Sequence, residues 1–187
     1  TRSGAVDACY VDGCTKVPGP LAPAKSTAYG EGKMAMLASL QGQVAGPLIC
    51  GSNGAVADGI AGSQIQNWGK SKKYSEREIP MLQRAVAAGK LFEAHGSAVC
   101  QNDGDPTHPE VQTELAAFLI AAGEHSYYMC SSWSGTKPVW YPVYDLPIGP
   151  PMANATLASN GVWTRRFAHV NVSYNTSDET GTISWPH

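Results

Sequence analysis

The sequence has 187 residues, of which 43% are apolar and 15% charged, and its formal net charge at pH 7 is −2. This balance suits one globular domain with its own hydrophobic core. It excludes a nucleic-acid surface, because the lysines and arginines form no large cluster. It also excludes a membrane-spanning helix, because no apolar run reaches the ~18 residues that such a helix needs.

Three Asn-X-Ser/Thr signals lie in the last third of the chain, at Asn154, Asn171 and Asn175. One such signal often arises by chance, but three close together favour a secreted glycoprotein with these residues as glycosylation sites. The chain begins at Thr1 and shows no signal-like segment, which we interpret as a mature or processed product. The predicted localisation is therefore secreted or extracellular.

The five cysteines include no Cys-X-X-Cys pair, so the sequence predicts no structural zinc site. We predict neither a metal nor a cofactor. In a secreted protein an odd number leaves one cysteine unpaired or paired with another chain. Cys9 and Cys50 fall in neighbouring predicted strands, and the sequence leaves open whether they form a bridge or remain two buried thiols.

Residues 5–13 form a short apolar run that ends in Asp12 and Gly13. This pattern is typical of a buried parallel strand that stops abruptly at a polar loop. In α/β proteins the carboxyl ends of such strands carry the chemistry, since several loops converge there. Asp12 is therefore the first candidate catalytic residue. The alternative is that Asp12 caps the following turn, because Asp-Gly is a common turn pair.

The rest of the chain alternates between helical and strand-like patterns. Three helices are predicted: one at residues 26–44, one that begins at a capping box at 75–78, and one from Pro109 to Gly123. The second helix could begin later, because Pro80 would lie inside it. Strands are predicted at residues 48–50, 62–68, 91–95 and 125–130. This alternation indicates a parallel sheet with helices packed outside it. Residues 138–151 are predicted to be loop, and 161–174 to form an antiparallel hairpin with 181–185.

Four segments match one group of enzymes in residue pattern and in order. They are Val6-Asp7-Ala8-Cys9-Tyr10-Val11-Asp12-Gly13, residues 48–53, residues 116–123, and a tail made of residues 145–149, 163–167 and 170–172. In this order they resemble the fourth strand, the fifth strand, the seventh helix and the closing segment of glycoside-hydrolase-like (β/α)8 barrels of the polygalactosaminidase-like group. The resemblance covers nearly the whole chain, and it implies that Asp12 is catalytic.

The resemblance implies an α/β fold: the C-terminal part of a (β/α)8 TIM-type barrel from about strand four onward, with a terminal β-hairpin. Residues 1–135 would form βα units, and residues 136–187 the closing loops and hairpin, in a single domain or part-domain. About five strands would then leave two sheet edges and an apolar inner face exposed. We therefore predict that an N-terminal fragment or a second chain completes the barrel. The alternative is a stand-alone open α/β sheet.

Glycoside hydrolysis normally needs two carboxyl groups, ~5–5.5 Å apart for retention of configuration or ~6.5–9.5 Å apart for inversion. Asp12 would supply one of them. Glu93, in the predicted strand at 91–95, is the best second candidate. Otherwise Glu93 pairs with His95 or with an arginine.

The sixth strand of the resembled family usually ends in Glu, whereas the matching run here contains Gln64 and Gln66. Glutamine can act neither as an acid nor as a charged nucleophile. Two hypotheses follow: a secreted glycosidase that uses Asp12 and Glu93, or a non-catalytic carbohydrate-binding or structural glycoprotein.

A carbohydrate is the predicted small-molecule partner. The candidate substrate-binding residues are Asn53, Gln66, Trp68, His95 and Trp133. Aromatic rings pack well against the C–H faces of sugars. Trp140 and Tyr127 could extend this surface, although core or barrel-mouth packing is the expected role of Tyr127. Arg165 and Arg166 could bind an acidic sugar, although a solvated hairpin edge is the expected position for both.

A metal-dependent phosphoester hydrolase is a minor alternative. It would draw on His95, His108 and His125 with Asp103 and Asp105. Their spacing matches no established metal motif.

Overall fold

The computed structural model describes residues 9–11, 23–51, 62–65, 72–96, 109–130 and 140–185. Its elements, in chain order, are β1 Cys9–Val11, α1 Pro23–Gln41, β2 Leu48–Cys50, β3 Gly62–Ile65, α2 Lys72–Ala87, β4 Leu91–His95, α3 Pro109–Ala121, β5 Ser126–Met129, a 3-10 helix Pro142–Asp145, β6 Thr156–Leu157, β7 Val162–Arg166, β8 Asn171–Asn175 and β9 Thr180–Ser184.

Strands β1 to β5 form one parallel sheet in which the spatial order follows the chain order. Right-handed crossovers that all step in one direction place their helices on one face of the sheet. The packing agrees with this rule. Cys50 shares a buried cluster with Leu37 of α1. Phe92, which lies in the same lateral row as Cys50, is buried with Ile79 of α2 and Phe118 of α3.

Helix α1 spans Pro23–Gln41, three residues nearer the N-terminus at both ends than the predicted helix at 26–44. Leu37 of its apolar stripe is fully buried. The return into β2 explains the earlier end. Gln41 Oε1 accepts a hydrogen bond from the Leu48 N–H at 2.7 Å, and Gln41 Nε2 donates to the Gly46 carbonyl at 3.1 Å. These bonds favour a tight turn over another helical turn.

Helix α2 begins at Lys72 and continues through Pro80, so both predicted starts, at the capping box 75–78 and later because of Pro80, were wrong. A proline inside a helix costs about 3 kcal/mol. Ile79 and Leu82 are both fully buried beneath the sheet, and burying each such side chain contributes about 1.5–3 kcal/mol, which offsets that cost. The predicted end at Gly89 is confirmed, because Gly89 has a φ of 68°. Its N–H donates to the Val86 carbonyl at 2.9 Å, as in a Schellman motif.

Helix α3 lies between two sheets. Phe118 stacks against Phe92 of the parallel sheet, with ring centroids 6.2 Å apart. On the other side, a Cβ built on Gly181 of β9 would come within 2.7 Å of Ala116 Cβ and 2.9 Å of Thr113 Cα. The predicted apolar stripe of α3 is therefore confirmed but incomplete, because a second sheet buries the opposite side of the helix as well.

The second sheet is antiparallel, in the order β6-β7-β8-β9. The predicted single arm at 161–174 is in fact two strands, β7 and β8, because Phe167 N–H donates to the Val170 carbonyl at 2.9 Å and reverses the chain. The predicted turn before β9 is confirmed. The expectation that the parallel strands belong to a (β/α)8 barrel that ends in a β-hairpin remains a prediction.

Arg165 of β7 ties the second sheet to α3. Its Nη1 donates to the carbonyls of Leu119 at 2.8 Å and Ala122 at 2.5 Å, where the helix leaves carbonyls without helical partners. Burial lowers the pKa of the Arg165 guanidinium. The expectation of a solvated edge was therefore wrong for Arg165, whereas Arg166 is exposed.

Cys9 is a free, half-buried thiol, whereas Cys50 is in a disulfide. Both alternatives for this pair, a bridge between them and two buried free thiols, were therefore wrong. None of the helices within the described residues is both long and apolar enough to cross a membrane.

Candidate functional site

The parallel sheet has one face covered by helices and an opposite face, here called the open face. In a strand, successive side chains point to opposite sides. Phe92 and Ala94 of β4 are fully buried in the core cluster with α2 and α3. The alternate residues of β4, Leu91, Glu93 and His95, therefore lie on the open face.

Glu93 and His95 form a pair on this face. Glu93 Oε1 and His95 Nε2 are 2.9 Å apart, and the two side chains are 29% and 8% exposed, respectively. When His95 Nε2 carries the proton, the ring donates to the carboxylate and favours its ionised form. That form is the one a base or a nucleophile needs. The sequence predicted that Glu93 pairs with His95 if Glu93 is not catalytic, and the contact agrees with that pairing. A catalytic Glu93 is compatible with the same contact.

The neighbouring strands extend this pair into a row across the sheet. Gln64 of β3 and Tyr127 of β5 are the register partners of Glu93 on its two sides. Laterally paired residues of a parallel sheet share a face. Tyr127 is 56% exposed, so core packing, one of its two expected packing roles, was wrong, whereas packing at a barrel mouth stays a prediction. Its neighbour Tyr128 takes that role, with its ring centroid 5.4 Å from that of Phe118.

His95 is the last residue of β4 and pairs with Met129, the last residue of β5. The pair is therefore at the carboxyl end of the sheet, where parallel α/β enzymes carry their catalytic groups. His125, by contrast, precedes β5, and its carbonyl accepts from the Phe92 N–H at 2.9 Å. His95 and His125 are thus at opposite ends of the sheet, which separates two members of the predicted metal constellation.

The remaining predicted site residues lie outside the described residues. They are Asp12, Asn53, Gln66, Trp68 and Trp133, together with Asp103, Asp105 and His108 of the metal alternative. Of the predicted catalytic and binding residues, the described part of the chain thus brings together Glu93 and His95. Within those residues, no group of three or more His, Cys, Asp and Glu side chains could hold a metal ion.

A buried carboxylate lies beneath the sheet and was missed in the sequence. Glu114 of α3 is 4% exposed, and the Tyr128 hydroxyl donates to its Oε2 at 3.2 Å. Burial, followed by the nearby Glu114 carboxylate, raises the pKa of Tyr128 well above its usual value. Glu114 falls between Val111 and Phe118 on the predicted apolar stripe, and this spacing could have revealed its burial. The pair joins α3 to β5 on the helix-covered side.

An exposed aromatic residue follows the carboxyl end of β5 in the chain. Trp140 is 67% exposed, and its Nε1 donates to Asp145 Oδ2 at 3.0 Å. Its ring lies edge-on to that of Tyr144, with centroids 5.4 Å apart and planes at 86°. The next residue, Tyr141, is fully buried with Val111 and Cys130.

The glycosylation candidates differ in accessibility. Asn154 and Asn171 are exposed. Exposed or half-buried residues alternate with buried residues along β8, and Asn171 is on the outer side of this strand, next to the buried Val172. Asn175 is half-buried, and its Oδ1 accepts from the Ser177 N–H at 2.9 Å in a local turn. Asn154 and Asn171 are therefore the more accessible acceptors.

One recess of about 350 Å³ lies away from the Glu93–His95 pair. It is lined by the last turns of α2 and α3, including Val86 and Ala121, and by Asn154. The C-terminus of α3 leads into the start of β5, so this recess lies at the amino end of the parallel sheet. It therefore does not belong to the candidate site.

A family model described as hypothetical glycosyl hydrolase family 15 matches residues 14–171, well over half of the chain. The chain belongs to this family. The glycoside-hydrolase-like resemblance predicted from the sequence is thereby confirmed. The match to hypothetical glycosyl hydrolase family 15 includes Glu93, His95 and Trp140. No curated protein matches the chain.

Proposed function

We propose that this glycosyl hydrolase-like protein is a secreted glycosidase that acts on a carbohydrate, with Asp12 and Glu93 as its carboxylate pair. The observation that carries the proposal is the 2.9 Å contact between Glu93 Oε1 and His95 Nε2. This pair is at the carboxyl end of a parallel sheet, which is the usual position of active-site residues in α/β enzymes. It lies on the face opposite to the helices that the structure describes. Family membership supports a glycosidic bond as the target.

The Glu93–His95 pair fits one of the two carboxylate roles in glycoside hydrolysis, that of the base or nucleophile. In the tautomer of His95 with the proton on Nε2, the ring donates to Glu93, and a carboxylate that accepts this bond is held in place as a base or a nucleophile. In the proposed reaction Glu93 is therefore the base or the nucleophile, and Asp12 protonates the leaving oxygen of the glycosidic bond. Water supplies the hydroxyl that ends on the sugar, so one bond is hydrolysed without a cofactor.

A second function, a non-catalytic carbohydrate-binding or structural glycoprotein, is favoured by one observation. The residue in register beside Glu93 on β3 is Gln64, an amide. Gln66, the other candidate for the missing family Glu, lies outside the described residues. An amide supplies neither an acid nor a charged nucleophile. In this second proposal the open face binds a sugar without cleaving it.

Substitution of Glu93 separates the two functions. The Glu93→Gln and Asp12→Asn variants of the full chain would be assayed for new reducing ends with soluble polysaccharides of neutral, acidic and amino sugars. For the glycosidase we expect at least a 100-fold loss in each variant. Glu31→Gln, the same chemical change on the exposed surface of α1, serves as the matched control. Hydrolysis by Glu93→Gln at the wild-type rate would remove Glu93 from the mechanism.

The secreted location has its own support. Cys50 and Cys130 are each in a disulfide, and disulfides persist in oxidising compartments. Asn154 and Asn171 are exposed, as glycan acceptors must be. We expect glycans at these two residues and less occupancy at Asn175. Treatment of the native protein with peptide N-glycosidase, followed by mass spectrometry, would count the converted sites, and conversion at none of them would contradict the proposal.

We also propose that an N-terminal fragment or a second chain covers the open face and completes a (β/α)8 barrel. The support is the winding of the sheet: five parallel strands in sequential order with their helices on one face. This winding leaves Tyr10 and Tyr127 of the open face 41% and 56% exposed. Native mass spectrometry of the purified protein would detect the additional chain. A monomer of this chain alone, active on polysaccharide, would contradict the proposal.

A further inference from the structure

Trp140 is an exposed ring that is nevertheless held in place. Its side chain has 67% of its surface open to water, whereas the following Tyr141 is fully buried. The indole N–H donates to Asp145 Oδ2 at 3.0 Å. The edge-on contact with Tyr144, at a centroid distance of 5.4 Å, restrains the ring further. Little side-chain entropy is therefore left to lose when a ligand packs on the ring.

The chain around Trp140 is anchored at the carboxyl end of the parallel sheet. Tyr141 is buried in one cluster with Val111 and Cys130. Val111 lies in the first turn of α3, the helix that follows β4, and Cys130 comes directly after β5. Both anchors therefore belong to the end of the sheet where His95 ends β4.

The chemistry of this surface fits a sugar. A tryptophan ring exposed to water leaves a large apolar area unburied. The C–H face of a pyranose can cover such a ring, while a carboxylate at the ring edge accepts hydrogen bonds from the sugar hydroxyls. Asp145 is exposed and is already in contact with the ring edge through the indole N–H. The pair thus presents an apolar plane and a polar rim side by side.

We propose that Trp140 is a stacking platform for one pyranose residue of a polysaccharide chain, with Asp145 as its hydroxyl acceptor. The platform is a binding subsite beyond the Glu93–His95 pair, at the same end of the sheet. The inference rests on the proposed function for its substrate class, a carbohydrate. It does not require that the protein be catalytic.

Affinity gel electrophoresis of the full chain tests the platform. The gels would contain one of four soluble polysaccharides: hydroxyethyl cellulose, glycol chitin, dextran or polygalacturonate. We expect retardation of the wild type in at least one gel, and roughly tenfold weaker binding for Trp140→Ala, which corresponds to ~1.4 kcal/mol. Trp140→Phe keeps a ring and should stay within about threefold of the wild type, as expected for ring stacking.

Leu146→Ala is the matched control, since Leu146 is another exposed apolar side chain next to the same 3-10 helix. We expect it to bind like the wild type. Equal losses for Trp140→Ala and Leu146→Ala would show that binding does not depend on the ring of Trp140 in particular, and would overturn the sugar platform. Unchanged binding by Trp140→Ala, or no retardation of the wild type in any of the four gels, would also overturn it.

Two further variants keep the test decisive. If Trp140→Ala fails to fold by circular dichroism, Asp145→Ala replaces it, because that change releases the indole N–H while keeping the ring. Weaker binding is the expected result, and wild-type binding would contradict the role of Asp145. Glu93→Gln should still be retarded while it no longer hydrolyses. If Glu93→Gln hydrolyses normally and Trp140→Ala loses binding, the catalytic assignment fails and the platform stands.

Discussion

Arg165 Nη1 donates a hydrogen bond at 2.8 Å to the carbonyl of Leu119, a residue 46 positions earlier in the chain. The same nitrogen also reaches the Ala122 carbonyl. One side chain of the antiparallel sheet thus closes the C-terminus of the helix that supports the parallel sheet. The cation is favourably placed at the negative end of the helix dipole.

Arg165→Met should therefore lower the stability of the whole fold. Loss of hydrogen bonds from a charged donor costs about 1.5–3 kcal/mol. For a chain of this size we expect a melting temperature roughly 3–12 °C lower, since 1 kcal/mol corresponds to about 2–4 °C. Arg166→Met is the matched control, because Arg166 is exposed on the same strand. Equal shifts for both variants in thermal unfolding would refute the capping role.

Gly181 and Gly32 should respond in opposite directions to the same substitution. A Cβ on Gly181 would lie 2.7 Å from Ala116 Cβ and 2.9 Å from the Thr113 backbone, so Gly181→Ala should destabilise by about 1–3 kcal/mol. Gly32 is in α1 with nothing within 4 Å of such a Cβ. Gly32→Ala should stabilise by up to about 1 kcal/mol, because alanine is the better helix former. Urea unfolding measures both, and a stable Gly181→Ala protein would contradict the close packing of β9 on α3.

Tyr128 should make the fold sensitive to alkaline pH. Burial and the Glu114 carboxylate raise its pKa, so above pH ~10 the unfolded chain loses this proton while the folded chain keeps it. Below pH ~10 the free energy of unfolding includes the full contribution of Tyr128. Above pH ~10 the free energy of unfolding falls by about 1.4 kcal/mol per pH unit. Tyr128→Phe should remove that part of the slope.

Urea unfolding between pH 9 and 11 checks the alkaline prediction. Burial also raises the pKa of Tyr144, so the stability of Tyr128→Phe should still depend on pH, with a smaller slope. Tyr127→Phe is the matched control, because Tyr127 is the exposed neighbour on the same strand. The wild-type slope in Tyr128→Phe would show that the Tyr128 hydroxyl does not contribute.

His95 should act by positioning Glu93. If the proposed hydrolysis is observed, His95→Asn removes a charge-assisted hydrogen bond worth about 1.5–3 kcal/mol, which corresponds to roughly a 10- to 150-fold loss in kcat. KM should change little, because the contact acts on the carboxylate rather than on the sugar. His169→Asn is the exposed control. A loss confined to KM would instead make His95 a binding residue.

The sequence pattern was enough to predict those features of the fold that depend only on neighbouring residues. The strand at 91–95 has the predicted bounds, and Gly89 has the positive φ that its position after α2 predicts. Pro109 begins α3 as predicted. Each of these features depends on backbone freedom or on the spacing of apolar residues, and both can be read within a few positions of the chain.

The candidate site was predicted to a smaller extent. Glu93 and His95 could be paired from their spacing, since residues two apart in a strand share a face. Tyr127 and Tyr128 are chemically alike, so spacing alone does not tell which one faces water; contact with Phe118 decides it. Trp140 and Asp145 are five positions apart, but their bond depends on a 3-10 helix that the sequence predicted as loop.

By itself, the sequence determined the order of strands and helices in the parallel sheet, the glycoside-hydrolase-like family and the carboxylate on β4. These follow from periodicity, turn residues and residue type, which are properties of neighbouring positions. Only the tertiary structure decided that α3 is buried on both sides, that Arg165 caps it, and which side of β4 is open. These depend on contacts between residues far apart in the chain, and their free energy arises only when the two sheets enclose the helix.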